Sequence, residues 1–348
     1  MAMMPHLLYK PRTETEITNH PTSMKHLYTL FATLLLTATT LYAGEEEITL
    51  NTPTGDIHGK LILPDSGTPC PVVIIIAGSG PTDMDGNSIG SGMTNNSLLY
   101  LARELAQNGI ASVRYDKRGI GKSAAAGSKE EDLRFHHYID DAAAWADKLG
   151  SDSRFNKVVI AGHSEGSLIG MVAAQKSNAV KGYISIAGCG SPAYEILEKQ
   201  LQGQPMQIQQ ESASISKELI EGRTVEQVPF YLAALYRPSV QPYLISWFAY
   251  NPAEEISKLN IPVLILQGDK DIQVGTEEAD KLHAAHPASS LYIIKDMNHI
   301  LKHCNTMQQM AQLATYRDAD LPIIPRLVSL IAEFIKEQDC HSAGEAGK

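Results

Sequence analysis

The sequence predicts an α/β chain built on a mostly parallel, eight-stranded sheet with helices on both faces and a helical segment inserted late in the sheet. Three observations predict it. Short β-branched runs alternate with stretches carrying apolar residues at helical spacing, which is the pattern of strands buried on both faces by crossover helices. That rhythm breaks once, between about Ser191 and Leu259, and then resumes. Finally, the strand-like run Val158-Val159-Ile160-Ala161 passes without a spacer into Gly162-His163-Ser164-Glu165-Gly166 and then into a helical pattern.

Taken in order, two short alternating segments between Glu47 and Pro64 flank Pro53-Thr54-Gly55 and read as an opening hairpin. Strand patterns follow at Val72 to Ala77, Ile110 to Tyr115, Lys157 to Ala161 and Gly182 to Ala187. Between and after them, helices are expected at Ser97 to Gln107, around Tyr138 to Leu149 and at Ser164 to Lys176. Residues 191–259 are helical in pattern, first rich in Gln and then in aromatic residues, including Tyr243, Trp247 and Phe248. We read this segment as a lid; an ordinary surface hairpin whose aromatics pack on the core is the competing reading. The sheet resumes with Ile261 to Leu266 and Ser290 to Ile294, separated by a helix at Thr276 to Ala285. A terminal helix is expected from Leu321 to Lys336, and residues 339–348 read as a structureless tail. The expected organisation is therefore an N-terminal extension (1–43), a first core part (44–190), the insertion (191–259), a second core part (260–338) and the tail.

At 348 residues and 43% hydrophobic composition, the chain can bury a core without staples. A formal net charge of −10, with no dense Lys/Arg stripe, argues against nucleic acid and against an anionic membrane surface as partners. The apolar run Leu27 to Leu36, preceded by Met24-Lys25-His26 and followed by Leu41-Tyr42-Ala43-Gly44 and three Glu, has the order of an export signal cut after Ala43. An uncleaved anchor is the alternative, and Met24 is a candidate start. Export to the periplasm or the medium, with no stable membrane insertion afterwards, is the expectation. Cys70, Cys189, Cys304 and Cys340 lack any metal-ligand spacing, and neither a metal nor an organic cofactor is expected. Sequence does not pair these cysteines.

A strand that turns abruptly into a helix forces the turning residue into a strained conformation, and glycines on either side remove the Cβ atoms that would clash. Ser164 is so placed and is the candidate nucleophile. A serine hydroxyl is a weak nucleophile at neutral pH, so a base must take its proton and a carboxylate should orient that base. The loops after the next two buried strands supply both: Asp271 in Gln267-Gly268-Asp269-Lys270-Asp271, and His299 in Asp296-Met297-Asn298-His299. Asp269, Asp296 and His303 are rivals read as solvated loop residues, and His163 as structural. For an oxyanion hole, the backbone N–H groups of Ser79, in Gly78-Ser79-Gly80-Pro81, and of Glu165 are the candidates. Asp83 and Asp85 are read as hydrogen-bonding loop residues; a substrate amine or a metal is the alternative. Trp247 and Phe248 are candidate substrate contacts.

From Thr49 to about Lys336 these pieces, together with Arg114-Tyr115-Asp116-Lys117-Arg118-Gly119-Ile120-Gly121-Lys122-Ser123, resemble the α/β-hydrolase superfamily. The stretch from Gly78 to Asn87 is similar to that of bacterial small-ester carboxylesterases and of serine aminopeptidase-like hydrolases. The resemblance implies the α/β-hydrolase fold, catalytic roles for Ser164, Asp271 and His299, oxyanion roles for Ser79 and Glu165, and structural roles for Asp116, Arg118 and Ser123. The expected function is hydrolysis of short to medium acyl esters through an acyl-enzyme, on a small-molecule substrate. A peptidase or amidase with the same triad, and a non-catalytic ligand-binding relative of the fold, are the alternatives. The oligomeric state is not legible.

Overall fold

The computed structural model describes residues 44–127 and 129–345. The expected signal segment and the start at Met24 lie outside them. One eight-stranded sheet, ordered β1-β2-β4-β3-β5-β6-β7-β8, organises everything else. The hairpin β1 (Glu45–Thr52) and β2 (Gly55–Ile62) is antiparallel, and β2 pairs antiparallel with β4 (Ala111–Tyr115). From β4 onward every pairing is parallel, through β3 (Cys70–Ile76), β5 (Phe155–His163), β6 (Val180–Ile186), β7 (Val263–Gly268) and β8 (Ser290–Ile294).

The continuous β-branched runs arise because both faces are covered. In β3, Val72, Ile74 and Ile76 enter one core cluster, while Val73 and Ile75, with Ala77 just past the strand, enter the other. Against the first face pack α2 (Phe135–Gly150), α3 (Glu165–Lys176) and α9 (Thr276–Ala285); against the second, α1 (Ser97–Gln107) and α10 (Pro325–Glu345). The step from β3 to β4 runs one way along the sheet and the steps to β5 and β6 run the other, so right-handed crossovers put α1 on one face and α2 and α3 on the opposite one. Two details differ from expectation. The last helix begins at Pro325 rather than Leu321, with proline in a first-turn position that needs no N–H donor. Its backbone continues to Glu345, past Asp339 where a structureless tail was expected.

Between β6 and β7 the chain leaves the sheet and forms α4 (Ala193–Gln200), α5 (Met206–Ile220), α6 (Ala233–Tyr236), α7 (Gln241–Phe248) and α8 (Pro252–Ser257). Much of its aromatic content is core. Tyr236 and Tyr243 are buried, and the Tyr236 hydroxyl shares hydrogen bonds with Ser212 at 2.8 Å and Ser216 at 2.9 Å, tying α5 to α6. Among the described residues no helix is long and apolar enough to cross a membrane.

Candidate active site

Ser164 sits where β5 becomes α3, with φ 55° and ψ −120°, a conformation that costs an L-residue strain. Two glycines make the turn possible by close approach. A Cβ on Gly162 would lie 2.1 Å from the Gly166 carbonyl oxygen, and one on Gly166 would lie 2.4 Å from that of Ile76. Neither neighbour is the movable end of a side chain, so any other residue would spoil the turn.

The structure brings Ser164, His299 and Asp271 together. The Ser164 hydroxyl lies 3.1 Å from His299 Nε2, and His299 Nδ1 lies 2.7 Å from Asp271 Oδ2. With Nδ1–H donating to the carboxylate, Nε2 is left as the acceptor facing the hydroxyl. Asp271 is almost fully enclosed. Burial alone would raise its pKa, but the adjoining His299 and the N–H groups of Val274 and Gln273 outweigh it and hold the carboxyl below its usual range. Those N–H groups reach Oδ1 at 2.9 and 2.8 Å, and the Gln267 amide donates to Oδ2 at 3.0 Å. Gln267, on β7 itself, is a supporting residue that sequence reasoning missed.

His163 packs its ring 4.9 Å from that of His299, and its Nε2–H donates to the His299 carbonyl at 2.7 Å. Burial, with His299 beside it, pushes its pKa down to about 4, so it stays neutral and fixes the His299 backbone. The rivals do not reach the serine. Asp269 is half-buried rather than solvated: its carboxylate accepts the Asp296 N–H at 2.6 Å and so braces the turn before His299. Asp296 is likewise half-buried, at a positive φ of 57°, and His303 is exposed.

Asp116, Arg118 and Ser123 serve the scaffold. Asp116 accepts from the Met84 and Lys122 N–H groups at 2.8 and 2.7 Å, Ser123 from the His58 N–H at 2.8 Å, and Arg118 pairs with Asp141 at 2.6 Å. Asp83 caps the N–H groups of Asp85 and Asn87, and Asp85 pairs with Arg114 at 2.6 Å. Both are loop anchors, and neither lines the cavity over Ser164.

That cavity has a volume of about 510 Å³. Its floor carries Ser79, Ser164 and Glu165; its walls include Ile120, Leu133, Tyr138 and Leu168 from the sheet domain and Ile196, Leu197, Leu235, Leu244 and Trp247 from the insertion. Trp247 stacks on Phe135 with ring centroids 5.8 Å apart. Phe248, expected beside it as a contact, instead points into the core against Tyr194, because consecutive helical residues face different directions. Cys189 lines the cavity as a free thiol, which burial, with Glu278 and Asp271 nearby, keeps protonated; Cys70 and Cys304 are also unpaired. Among the described residues no cluster of side chains could hold a metal ion.

A family model described as serine aminopeptidase, S33 (Hydrolase_4) matches residues 89–303, a stretch that contains Ser164, Asp271 and His299. The chain belongs to this family. As an S33-family chain it is also similar to the esterase EstD of Thermotoga maritima, at 26% identity over 260 residues, covering 74% of this chain and 60% of that relative. The match thus spans less than two thirds of the relative's length. Among solved structures, Est1E from Butyrivibrio proteoclasticus with ferulic acid bound aligns with a TM-score of 0.57 at 20% identity, covering 84% of this chain and 99% of that chain. The Pyrococcus furiosus esterase Pf2001 aligns with a TM-score of 0.51 at 14% identity, covering 84% and 92%. The fold of this S33-family chain is the α/β-hydrolase fold.

Proposed function

We propose that this chain is a serine hydrolase of carboxylic esters with short to medium acyl groups, acting through Ser164, His299 and Asp271 and an acyl-enzyme. The observation that carries the reading is the continuous hydrogen-bonded chain from Asp271 through His299 to Ser164, ending at the floor of a largely apolar cavity. As Ser164 Oγ attacks the ester carbonyl, its proton passes to His299 Nε2, and Asp271 stabilises the imidazolium. The carbonyl oxygen, now negative, accepts from the N–H groups of Ser79 and Glu165; the latter is the first residue of α3, where the helix dipole also favours negative charge. The proton on His299 then goes to the leaving alkoxide. Water, deprotonated by His299, attacks the acyl-enzyme and releases the acid.

The family's aminopeptidase description poses the main alternative, and the charges in the cavity favour esters. A free peptide terminus carries an ammonium that calls for an unpaired carboxylate. The acidic residues lining the cavity are Glu130 and Glu165, and each is occupied: Glu130 by Arg237, with an Nε–Oε2 contact of 2.9 Å, and Glu165 by Lys117 at 2.9 Å. The apolar walls contributed by the insertion suit an acyl chain, and we assign the insertion the role of lid over it. Residues 24–43 support export to the periplasm or the medium; N-terminal sequencing of the protein recovered from cell fractions tests that.

Hydrolysis of p-nitrophenyl esters of increasing acyl length, beside aminoacyl p-nitroanilides, tests the reaction. Cleavage of the esters and not the anilides is the expected outcome. Faster cleavage of anilides would move the assignment to a peptidase. Failure of a fluorophosphonate to label Ser164 would favour the binding-protein reading.

A further inference from the structure

We propose that Lys117 is a positioning residue whose buried ammonium locks in place both peptide units that supply the oxyanion-binding N–H groups. The proposal rests on the ester-hydrolase reading above and deepens it. Lys117 follows β4, so it belongs to neither of the elements that carry those N–H groups. Its Nζ donates to the Gly78 carbonyl at 2.6 Å and to Glu165 Oε1 at 2.9 Å. Both side chains are almost completely enclosed, at 2% and 3% exposure, so water does not compete for these bonds. The Tyr138 ring, with its centroid 4.9 Å from Nζ, closes a third side.

The geometry of the peptide bond turns this contact into control of the site. The carbonyl of Gly78 and the N–H of Ser79 belong to one planar trans unit and point in opposite directions. Fixing the oxygen therefore fixes the direction of the N–H. Such a pin matters at this position because the residue is glycine, and a Cβ there would crowd the Ser164 Cβ at 3.1 Å. Glycine is the residue least able to hold its own peptide plane, and a rotated Gly78–Ser79 unit would present a carbonyl oxygen to the oxyanion in place of a donor. A hydrogen bond to the carbonyl also polarises the amide, which strengthens the N–H as a donor. The second bond, to Glu165, ties the same ammonium to the residue whose own N–H is the other donor.

A buried ion pair is not in itself a source of fold stability. Replacing a buried pair by apolar side chains is often neutral or stabilising, whereas removing one partner alone is costly. That asymmetry gives the test. Lys117→Met leaves the Glu165 carboxylate buried without its cation and is expected to lower Tm, whereas Lys117→Met/Glu165→Gln removes both charges together and preserves the fold. In the folded double variant, kcat for p-nitrophenyl butyrate is expected to fall by about tenfold to a hundredfold, the range for a misplaced catalytic group, with KM within about twofold. The Ki of an alkyl boronic acid, whose tetrahedral Ser164 adduct mimics the oxyanion, is expected to rise by a similar factor. A folded double variant with wild-type kcat and Ki, or one whose loss lies only in KM, overturns the role of Lys117 while the ester reading stands. A wild-type protein that cleaves no ester, or a Ser164→Ala variant that still does, overturns the ester reading itself and the proposal with it.

Discussion

The rim of the sheet and the helical insertion meet at one cavity but are built by different rules. At the rim, Ser164, Asp271 and His299 are held by backbone: a strained turn, an aspartate capping two N–H groups, and a histidine whose carbonyl accepts from His163. In the insertion, the wall of the cavity is held by side chains packing on one another, as where Trp247 stacks on Phe135 and Tyr243 packs edge-on against Tyr138. The first construction fixes atoms to within the tolerance chemistry demands; the second fills space and tolerates exchange of one apolar group for another. Reaction should therefore fail at the rim, and preference should change in the insertion.

The largest effect expected is from Ser164→Ala, which should lower kcat for esters by on the order of 10⁴-fold or more and abolish fluorophosphonate labelling. Asp271→Asn keeps the shape but permits the wrong histidine tautomer, and is expected to cost roughly 10⁴-fold in kcat with little change in KM. Steady-state kinetics beside a thermal melt checks both. A variant with normal turnover would break the idea that the rim carries the chemistry.

At the junction between the regions stands Glu278, 1% exposed on α9, whose Oε2 accepts the Gly190 and Ser191 N–H groups at 3.1 and 2.8 Å where the chain leaves for the insertion. Burial alone would raise its pKa; Lys199, Ser191 and Lys281 bring it down to about 2. Because the folded value lies below the unfolded one near 4.5, its stabilisation is complete above pH 4.5 and drains away as pH falls towards 2. Lys199 and Lys281 are partly exposed and screened by solvent, so Glu278→Gln should cost on the order of 1–2 kcal/mol at pH 7, and its gap from wild type in urea melts should close in acid. A pH-independent gap would mean that the carboxylate's charge is idle there.

A smaller effect is expected from Trp247→Ala. Its ring is part of the wall and not of the proton path, so the ratio of kcat/KM between medium and short acyl esters should shift by roughly tenfold, the worth of a methylene or two in an apolar pocket. Fluorophosphonate labelling should persist. An equal loss on all acyl lengths would instead make the insertion part of the catalytic framework and erase the contrast.

The same contrast governs what could be read without coordinates. Helix α1 and strand β8 fall on the residues that patterning indicated, and Ser164, Asp271 and His299 converge, because each depends on local backbone requirements that leave marks in the chain: glycines, alternating runs, a loop after a buried strand. Phe248 turns to the core and Asp269 is half-buried against the expectation of a contact and a solvated residue, since nothing local tells which way a helical aromatic faces or which N–H a loop carboxylate finds. The role of Lys117 is hidden for the same reason. Its partners lie 39 and 48 residues away, and a lysine between Asp116 and Arg118 looks like surface charge until the fold is known.

The finest test of the rim concerns its own strain. A non-glycine residue at φ 55° and ψ −120° costs about 1–3 kcal/mol, and the surrounding packing must hold it there. Ser164→Ala and Ser164→Gly both lose the hydroxyl that faces His299, so that bond cancels when the two are compared. They differ in the Cβ, which makes the conformation costly in one and cheap in the other. Against the relief stands the greater unfolded-state freedom of glycine, worth about 0.4–1 kcal/mol. The balance is a Ser164→Gly variant more stable than Ser164→Ala by about 1 kcal/mol, read from urea melts of the two. Equal stabilities would mean that the elbow stores no strain and that the rim is held no more stiffly than the insertion.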